Sequence, residues 1–295
     1  MSSSSSHARM PIGDGMTGSV PLDVKPSVGT GGPGGDQKEI GARSPGQLAW
    51  RRLTRDRTAV VSALTLAVLM LIAIAAPLIQ AVRGIDPTDA FANKLNEFGI
   101  PLGYAGGLSA EHWLGLEPGN GRDIFMQLVF GLRTSLLVAF ASAVLASAVG
   151  VLIGIIAGYV RGWLNSAINW VIDLTLAFPF LIFALAVIPI LEDRFFGERD
   201  EIPPTFRIGL IIATFALFSW TYTARLVRGQ VISLREREFV EAARAAGAGP
   251  GHILLRQLLP NIWAPILVTV SLNVPAFIAA EAALAFVNVG VTEPT

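Results

Sequence analysis

The chain has 295 residues, of which 52% are hydrophobic and only 15% charged, a composition typical of a membrane protein and poor in charge for a soluble one. Its formal net charge is zero and it carries no long basic or acidic run, so nothing in it indicates a nucleic-acid partner. It has no cysteine, which excludes disulfides, thiolate metal sites and a cysteine nucleophile.

The N-terminal part of the chain is polar. Residues 1–50 are rich in Ser, Gly and Pro and contain few large apolar side chains, so we expect a disordered tail that buries no core. The first apolar stretch begins only near Ala59, much later than in a secretory signal. We therefore interpret that stretch as a membrane span.

Five apolar stretches follow, each long enough to cross a bilayer, which takes about 20 helical residues. They cover residues 59–82, 135–160, 167–191, 208–226 and 262–289. The predicted fold class is therefore all-α, a polytopic membrane helix bundle. Pro179, Pro189 and Pro275 fall inside spans, where each removes a backbone hydrogen bond and predicts a kink.

The placement of arginines predicts the orientation of the spans, because basic residues in short loops stay on the cytoplasmic side. Those beside the first span and before the fifth are Arg51, Arg52, Arg55, Arg57, Arg225, Arg228, Arg235, Arg237, Arg244 and Arg256. We predict a cytoplasmic N-terminus, a cytoplasmic loop at residues 227–261, and residues 83–134 outside. Residues 51–82 then form the N-terminal region and first span, and residues 135–295 form the core transmembrane domain.

The outer segment, residues 83–134, contains many Gly and Pro residues, which predict an ordered loop rich in turns. It leads into an amphipathic entry helix predicted at residues 123–130. Two roles remain open for Arg122 and Asp123. They either face a partner outside the membrane or simply cap the entry helix.

The second span carries small residues at intervals of four, a spacing that lets another helix backbone come close. The stripe consists of Ser142, Ala146, Gly150, Gly154 and Gly158. One interpretation is a helix at a translocation pathway or a subunit seam. The other is ordinary packing inside one bundle.

Two acidic residues lie in or near the spans, where an ionised carboxylate is costly. Asp173 lies early in the third span and is either interfacial or paired. Glu281 lies deep in the fifth span. We favour a role for Glu281 in a pathway or subunit seam, and the alternative is a structural hydrogen bond.

The segment before the fifth span interrupts two apolar stretches with a charged helix. The sequence "LREREFVEAARAA", residues 234–246, is helical by propensity, Gly247 supplies a stop, and Gly249-Pro250 is expected to prevent the helix from resuming. A second short helix is predicted at residues 253–259, ending at Pro260. Because a simple connection needs only a few residues, this segment is interpreted as a docking element for another protein.

The same segment resembles the EAA loop of the membrane subunits of binding-protein-dependent ABC importers. The matching residues are Glu241, Ala242, Ala243, Gly247, Leu259 and Pro260. Gln257 departs from the pattern, since the family usually has an aliphatic residue there.

Other stretches are similar to the C subunits of oligopeptide and dipeptide permeases, over residues 47–293. They include "HWLGLEPGNGRDIFMQLVFGLRTSLLVAF" and "AEAALAFVNVGV", the latter with Glu281. The family continues into a sixth span after this point, whereas the sequence here stops at "VTEPT". We expect a truncated product, with five spans of the type I ABC importer transmembrane fold.

The resemblance implies a multi-pass subunit of the bacterial inner membrane that imports dipeptides or oligopeptides, with nickel and glutathione as other cargoes of the group. Its implied partners are a second permease subunit, two ABC ATPase subunits, an extracytoplasmic substrate-binding protein and the bilayer. ATP and Mg would be bound by the ATPase subunits, since this chain has no P-loop pattern, and we expect no cofactor, metal or catalytic residue in it.

The resemblance also implies roles for single residues. Residues 235–247 would be a coupling helix in a cleft of the ATPase, with Glu241 as its charged contact and Ala242 and Ala243 allowing close approach. Gly247 would set the turn. Arg122 and Asp123 would face the binding protein.

Two other classes remain as alternatives. A secondary transporter driven by ions would use Asp173 and Glu281 as coupling carboxylates, but it would leave the docking segment unexplained. A membrane-embedded enzyme would need a catalytic constellation, and the spans contain no Ser-His, paired-Asp or His-Glu-x-x-His arrangement.

Overall fold

A computed structural model describes residues 54–197 and 202–291. The tail predicted to be disordered, residues 1–50, lies outside the described residues. Over the described ranges the chain is helical, and extended pairing is limited to the isolated bridges Ala90↔Arg122, Leu95↔Pro101 and Leu116↔Asp123. The predicted all-α class is confirmed.

Seven helices of eight or more residues organise the described chain. They are α1 (Arg57–Arg83), α2 (Ile124–Tyr159), α3 (Trp163–Ala177), α4 (Phe180–Phe195), α5 (Pro204–Leu234), α6 (Glu238–Ala245) and α7 (Trp263–Phe286). In the described ranges, four of them, namely α1, α2, α5 and α7, are long and apolar enough to cross a membrane. The pair α3 and α4 makes a fifth span if it is counted as one.

The third predicted span is not one straight helix. Its two halves, α3 and α4, are bent by 83° at a break between Ala177 and Phe180. The cause is local, because Pro179 disfavours helical backbone in the residue before it, and Phe178 adopts φ −83° and ψ 128°. Pro275 lies inside α7 and Pro189 inside α4 without ending either helix.

The predicted entry helix is not a separate element. Residues 124–130 form the first turns of α2, which continues without a break to Tyr159, a helix of 36 residues. Asp123 begins it as the N-cap, with its Oδ1 accepting from the backbone N–H of Met126 at 2.9 Å.

Helices α2 and α5 pack side by side and run in the same direction. Gly150 of α2 lies against Trp220 and Thr223, and two turns later Gly158 lies against Arg228 and Val231. Because two consecutive parallel spans need a return crossing, α3 and α4 together carry the chain back across the bundle. The broken pair therefore acts as a single span.

Helix α7 runs opposite to α2 and α5. Its first turns, at Ile266, pack with Ile155 of α2 and Val231 of α5, whereas Leu284 near its end packs with Ile211 near the start of α5. The connection α2–α3 and residues 235–262 therefore lie at one end of the bundle. Residues 84–123, the end of α4 and the start of α5 lie at the other end.

Candidate functional site

The segment that joins α5 to α7, residues 235–262, begins with a tight turn. α5 ends at Leu234 and α6 starts at Glu238, so the helix predicted from residue 234 to 246 is shorter than expected at its start. Arg237 is the N-cap residue, and its carbonyl accepts from the N–H of Val240 at 2.9 Å. Glu238 and Glu241 lie in the first turn of α6 and Arg244 lies in the last, which matches the polarity of the helix dipole.

Helix α6 is attached along one side only. Val240 is fully buried, in a cluster with Val231 of α5 and Ile253 and Leu258 of the following helical turns. The opposite side carries Glu241 and Ala242, which are both exposed. This side therefore offers a short acidic helix face with small side chains that another protein can approach closely.

Gly247 ends α6 with a Schellman motif. The N–H of Gly247 donates to the carbonyl of Arg244 at 2.9 Å, and the N–H of Ala248 donates to the carbonyl of Ala243 at 3.0 Å. Gly247 adopts φ +84°, a left-handed conformation that glycine enters without strain. The predicted helix stop at Gly247 is therefore confirmed.

The chain becomes helical again sooner than predicted. The expectation that Gly249-Pro250 blocks the helix is wrong, because Pro250 is the first residue of a new turn, a position where its missing N–H has no consequence. The helix runs through Pro250–His252, a π-helical part at Ile253–Leu258, and a 3-10 turn at Leu259–Asn261. Leu259 is half-buried and the exposed Pro260 lies in the turn that leads into α7.

Two side-chain contacts tie the 235–262 segment to the end of α2. The guanidinium of Arg235, only 14% exposed, donates to the carbonyl of Gly158 at 2.8 Å. Arg244 lies over the ring of Tyr159, 5.8 Å from its centroid, a cation–π contact. A displacement of the segment would therefore be passed to α2 as well as to α5 and α7.

The glycines of the small-residue stripe face α5 of the same chain. A Cβ added to Gly150 would lie 2.6 Å from Thr223, and one added to Gly154 would lie 2.6 Å from the carbonyl of Ala224. At Gly158 it would lie 2.6 Å from Val231. These contacts are the packing inside one bundle that the sequence left as the alternative, so the three glycines do not form a seam with another subunit.

Glu281 is buried and makes a hydrogen bond across the bundle. The hydroxyl of Ser135 on α2 donates to its Oε2 at 2.9 Å. This is the structural hydrogen bond that the sequence held as the alternative, and it joins α7 to α2. The role of Glu281 in a pathway stays a prediction.

Asp123 does not face outward, contrary to the prediction that it contacts a binding protein. Its side chain is fully buried, and His112 Nδ1 lies 2.8 Å from Asp123 Oδ2, with Arg83 at 3.6 Å. Both carboxylate oxygens have partners: Oδ1 caps α2, and Oδ2 faces His112 and Arg83. Arg122 is half-buried, and its carbonyl accepts from the N–H of Glu117 at 2.8 Å.

A charged network around His112 was not predicted from the sequence. Lys94 Nζ lies 2.9 Å from His112 Nε2 and also contacts Glu111, and its ammonium lowers the pKa of the Glu111 carboxyl. Arg83 donates to the backbone carbonyl of Glu111 and stacks over Trp113, 4.5 Å from the ring centroid. Among the described residues there is no group of three or more His, Cys, Asp and Glu that could hold a metal ion.

A second ion pair without a sequence signal joins α4 to α5. Arg207 Nε lies 2.6 Å from Glu192 Oε1, and Arg207 NH2 lies 3.1 Å from Glu192 Oε2, a bidentate arrangement. The two residues are brought together only by the return of the chain after α4, and sequence spacing gives no sign of that.

The architecture defines a class of protein before any comparison. Parallel α2 and α5, a broken span between them, and a helical segment between α5 and α7 together define a multi-pass membrane helix bundle. Comparisons with known proteins agree. A family model described as binding-protein-dependent transport system inner membrane component matches residues 150–294, and a model of the N-terminal transmembrane domain of oligopeptide transport permease C matches residues 44–95.

Several curated proteins are similar over most of their length. A dipeptide transport system permease protein of Alkalihalophilus pseudofirmus is 36% identical over 86% of this chain and 75% of its own length. An oligopeptide transport system permease protein of Escherichia coli is 32% identical over 88% of this chain and 78% of its own length. A dipeptide transport system permease protein of Bacillus subtilis is 30% identical, with coverage of 84% and 69%.

The chain belongs to the family of inner membrane components of binding-protein-dependent transport systems. Its fold is the type I ABC importer transmembrane fold that the resemblance implied. The predicted identity as an ABC permease subunit is confirmed.

Proposed function

We propose that this chain forms part of the translocation pathway of an ATP-driven peptide importer and receives force through α6. One observation carries the proposal. α6 is fixed at Val240 on one side while Glu241 and Ala242 are exposed on the other, the arrangement required of a helix that docks into a partner. A short apolar connection between two spans would need none of these features.

The internal contacts support a lever-like transmission. The segment is joined to α5 through Val240 and Val231, to α2 through Arg235 and Gly158, and directly to α7 through its last turn. A rigid-body displacement of α6 by a closing ATPase dimer would therefore move three spans together and rock the bundle between inward-open and outward-open states. Ala242 and Ala243 allow close approach, and Gly247 fixes the exit angle.

The orientation follows from charge. The 235–262 segment carries Arg235, Arg237, Arg244 and Arg256, and the α2–α3 connection at the same end of the bundle carries Arg161. By the positive-inside rule this end is cytoplasmic, as is the N-terminus. Residues 84–123 then face outward, where Arg122 and its surroundings meet a substrate-binding protein.

The partners are a second permease subunit, two ATPase subunits that bind ATP and Mg, and the binding protein. The family description supports dependence on a binding protein. The names of the similar permeases support dipeptides or oligopeptides over nickel or glutathione as the cargo.

Co-purification tests the coupling role. The chain is expressed with its partner subunits, and the ATPase is expected to co-purify with the wild type but not with Glu241→Arg or Gly247→Pro. Glu97→Arg is the matched control, an exposed glutamate at the opposite end of the bundle. Equal retention of the ATPase in all three variants would contradict the coupling role. Uptake that resists vanadate but collapses with the proton gradient would instead favour a secondary transporter.

A further inference from the structure

An ion pair lies on the outer surface of two apolar helices, α3 and α5. Arg225 Nη2 on α5 lies 2.6 Å from Asp173 Oδ1 on α3, and the two side chains are 56% and 68% exposed. Both lie within spans, because Arg225 is nine residues before the end of α5, about 13 Å along the axis. The long side chain of an arginine can reach the membrane–water interface from this depth, but the side chain of an aspartate is too short to do so. This face therefore meets water or protein rather than lipid.

Polar side chains continue from this ion pair towards the end of α3. Asn165, Asn169 and Asp173 follow at intervals of four and share one helix face. The side chain of Asn169 donates to Asn165 Oδ1 at 2.8 Å, and Arg228 Nε donates to the same oxygen at 3.1 Å. The boundary between α3 and α5 is thus a strip of polar side chains. Exposing such a strip to lipid hydrocarbon costs free energy, whereas water along a translocation route would solvate it.

A cavity opens beside the ion pair, at the break between α3 and α4. It measures about 440 Å³ and is lined by residues that include Leu176, Phe178, Phe180, Phe218, Ser219 and Tyr222. Leu176 and Tyr222 each lie three residues from a member of the ion pair, so cavity and pair share the same helix faces. The cavity is thus an aromatic pocket with a charged pair at its edge.

The backbone at the break supports the same environment. Phe178 is 54% exposed in an extended conformation, at the level of Phe218 and Phe277 near the middle of α5 and α7. Irregular backbone at membrane depth occurs where it is buried in protein or lines a water-filled cavity. The rest of the described chain leaves Phe178 54% exposed, and the neighbouring Asp173 and Arg225 are charged. A water-filled cavity at the break fits both observations.

We infer that Asp173, Arg225 and the aromatic pocket form a transit site for a zwitterionic peptide, an inference that rests on the proposed function. A peptide with free termini carries one carboxylate and one ammonium, and the site carries one guanidinium and one carboxylate. Inserting the peptide replaces one ion pair by two and leaves no charge unpaired. Arg225 takes the carboxylate, Asp173 takes the ammonium, and the pocket takes an apolar side chain of the peptide.

The first test compares cargoes in proteoliposomes that contain the full importer. Uptake of a free dipeptide is measured beside the same dipeptide with an amidated C-terminus. Arg225→Gln is expected to reduce uptake of the free dipeptide tenfold or more while changing uptake of the amidated form less than threefold. Asp173→Asn is expected to reduce uptake of the free dipeptide tenfold or more while changing uptake of an N-acetylated dipeptide less than threefold. Unchanged preference in both variants overturns the inference.

The second test measures accessibility, using the fact that the chain contains no cysteine. A Tyr222→Cys variant is expected to react with a charged, membrane-impermeant thiol reagent and to be protected by dipeptide. A Leu71→Cys variant on the exposed apolar side of α1 is the unreactive control. Failure of Tyr222→Cys to react would place this face against lipid or the second permease subunit and overturn the inference.

Different measurements contradict the proposed function and the transit site. Loss of co-purification between ATPase and wild-type chain would contradict the proposed function. Normal co-purification and dipeptide-stimulated ATP hydrolysis, together with unaltered cargo preference in Arg225→Gln and Asp173→Asn, would contradict the transit site alone.

Discussion

The guanidinium of Arg235 donates to the backbone carbonyl of Gly158 at 2.8 Å, which joins the base of α6 to the last turn of α2. Carbonyls in the last turn of a helix lack partners within the helix, and that end of the helix dipole is negative. A cationic donor whose side chain is only 14% exposed satisfies both conditions. Gly158 also packs against Arg228 and Val231 of α5, so one residue of α2 contacts both the 235–262 segment and the helix that supports it.

Replacing Arg235 is expected to weaken the connection between α6 and α2. A hydrogen bond that involves a charged group contributes about 1.5–3 kcal/mol, and Arg235→Met removes it while keeping the length of the side chain. We expect the ATPase to co-purify normally while uptake per ATP hydrolysed falls several-fold. Arg237→Met, an exposed arginine two residues along the chain, is the control. Full coupling in Arg235→Met would show that this bond transmits nothing.

The glycine stripe predicts a stability difference between two glycines of α2. Gly154→Ala places a methyl group 2.6 Å from the carbonyl of Ala224, whereas Gly131→Ala meets nothing within 4 Å. Overpacking of this kind costs about 1–3 kcal/mol. Thermal unfolding in detergent should give a lower Tm for Gly154→Ala and an unchanged or raised Tm for Gly131→Ala. Equal Tm values would show that α2 and α5 are less closely packed than the structure has them.

Replacing Gly247, in the turn after α6, is expected to strain the backbone without a steric clash. Gly247 has open space around it but a φ of +84°, so Gly247→Ala adds no clash and costs about 1–2 kcal/mol of backbone strain. Gly251→Ala is the matched control, since it also has open space and no positive φ. Co-purification of the ATPase should weaken in the first variant and stay normal in the second. Gly247→Asn should keep most of the binding, because Asn tolerates the left-handed region.

The buried carboxylate of Asp123 predicts an order of stabilities. Asp123→Asn keeps an oxygen that can accept from Met126 but loses the charge that faces His112 and Arg83. Asp123→Ala loses both, and a missing cap alone costs about 1 kcal/mol. The Tm measured in detergent should therefore fall in the order wild type, Asp123→Asn, Asp123→Ala. A higher Tm for Asp123→Ala than for Asp123→Asn would contradict the cap.

The sequence predicted the features that depend on local chemistry. Long apolar stretches identified α1, α2, α5 and α7, and the left-handed preference of glycine identified the stop at Gly247. Glu241, Ala242 and Gly247 lie close together in the sequence. Their order alone was therefore sufficient to indicate the family. Local pattern gave a wrong expectation at Pro250, which was predicted to block a helix and instead begins a helix turn, and at the start of α6, which lies at Glu238 and not at Leu234.

Features that depend on tertiary contact were not predictable. Nothing in the spacing of Gly150, Gly154 and Gly158 states whether the facing helix belongs to the same chain, and α5 proved to be that helix. The partners of Asp123 and Glu281 are 11 and 146 residues away in the chain. Asp173 was predicted to be interfacial or paired, yet only the structure supplies Arg225, 52 residues later.

Site-specific cross-linking shows directly whether α6 docks on an ATPase. Because the chain has no cysteine, an Ala242→Cys variant can be labelled with a maleimide that carries a photoreactive benzophenone, within the assembled importer. Ala110→Cys, exposed at the other end of the bundle, is the control. We expect an adduct between the Ala242→Cys chain and the ATPase and none from Ala110→Cys. Absence of that adduct, in an importer that still hydrolyses ATP and takes up peptide, would contradict the docking of α6 on the ATPase.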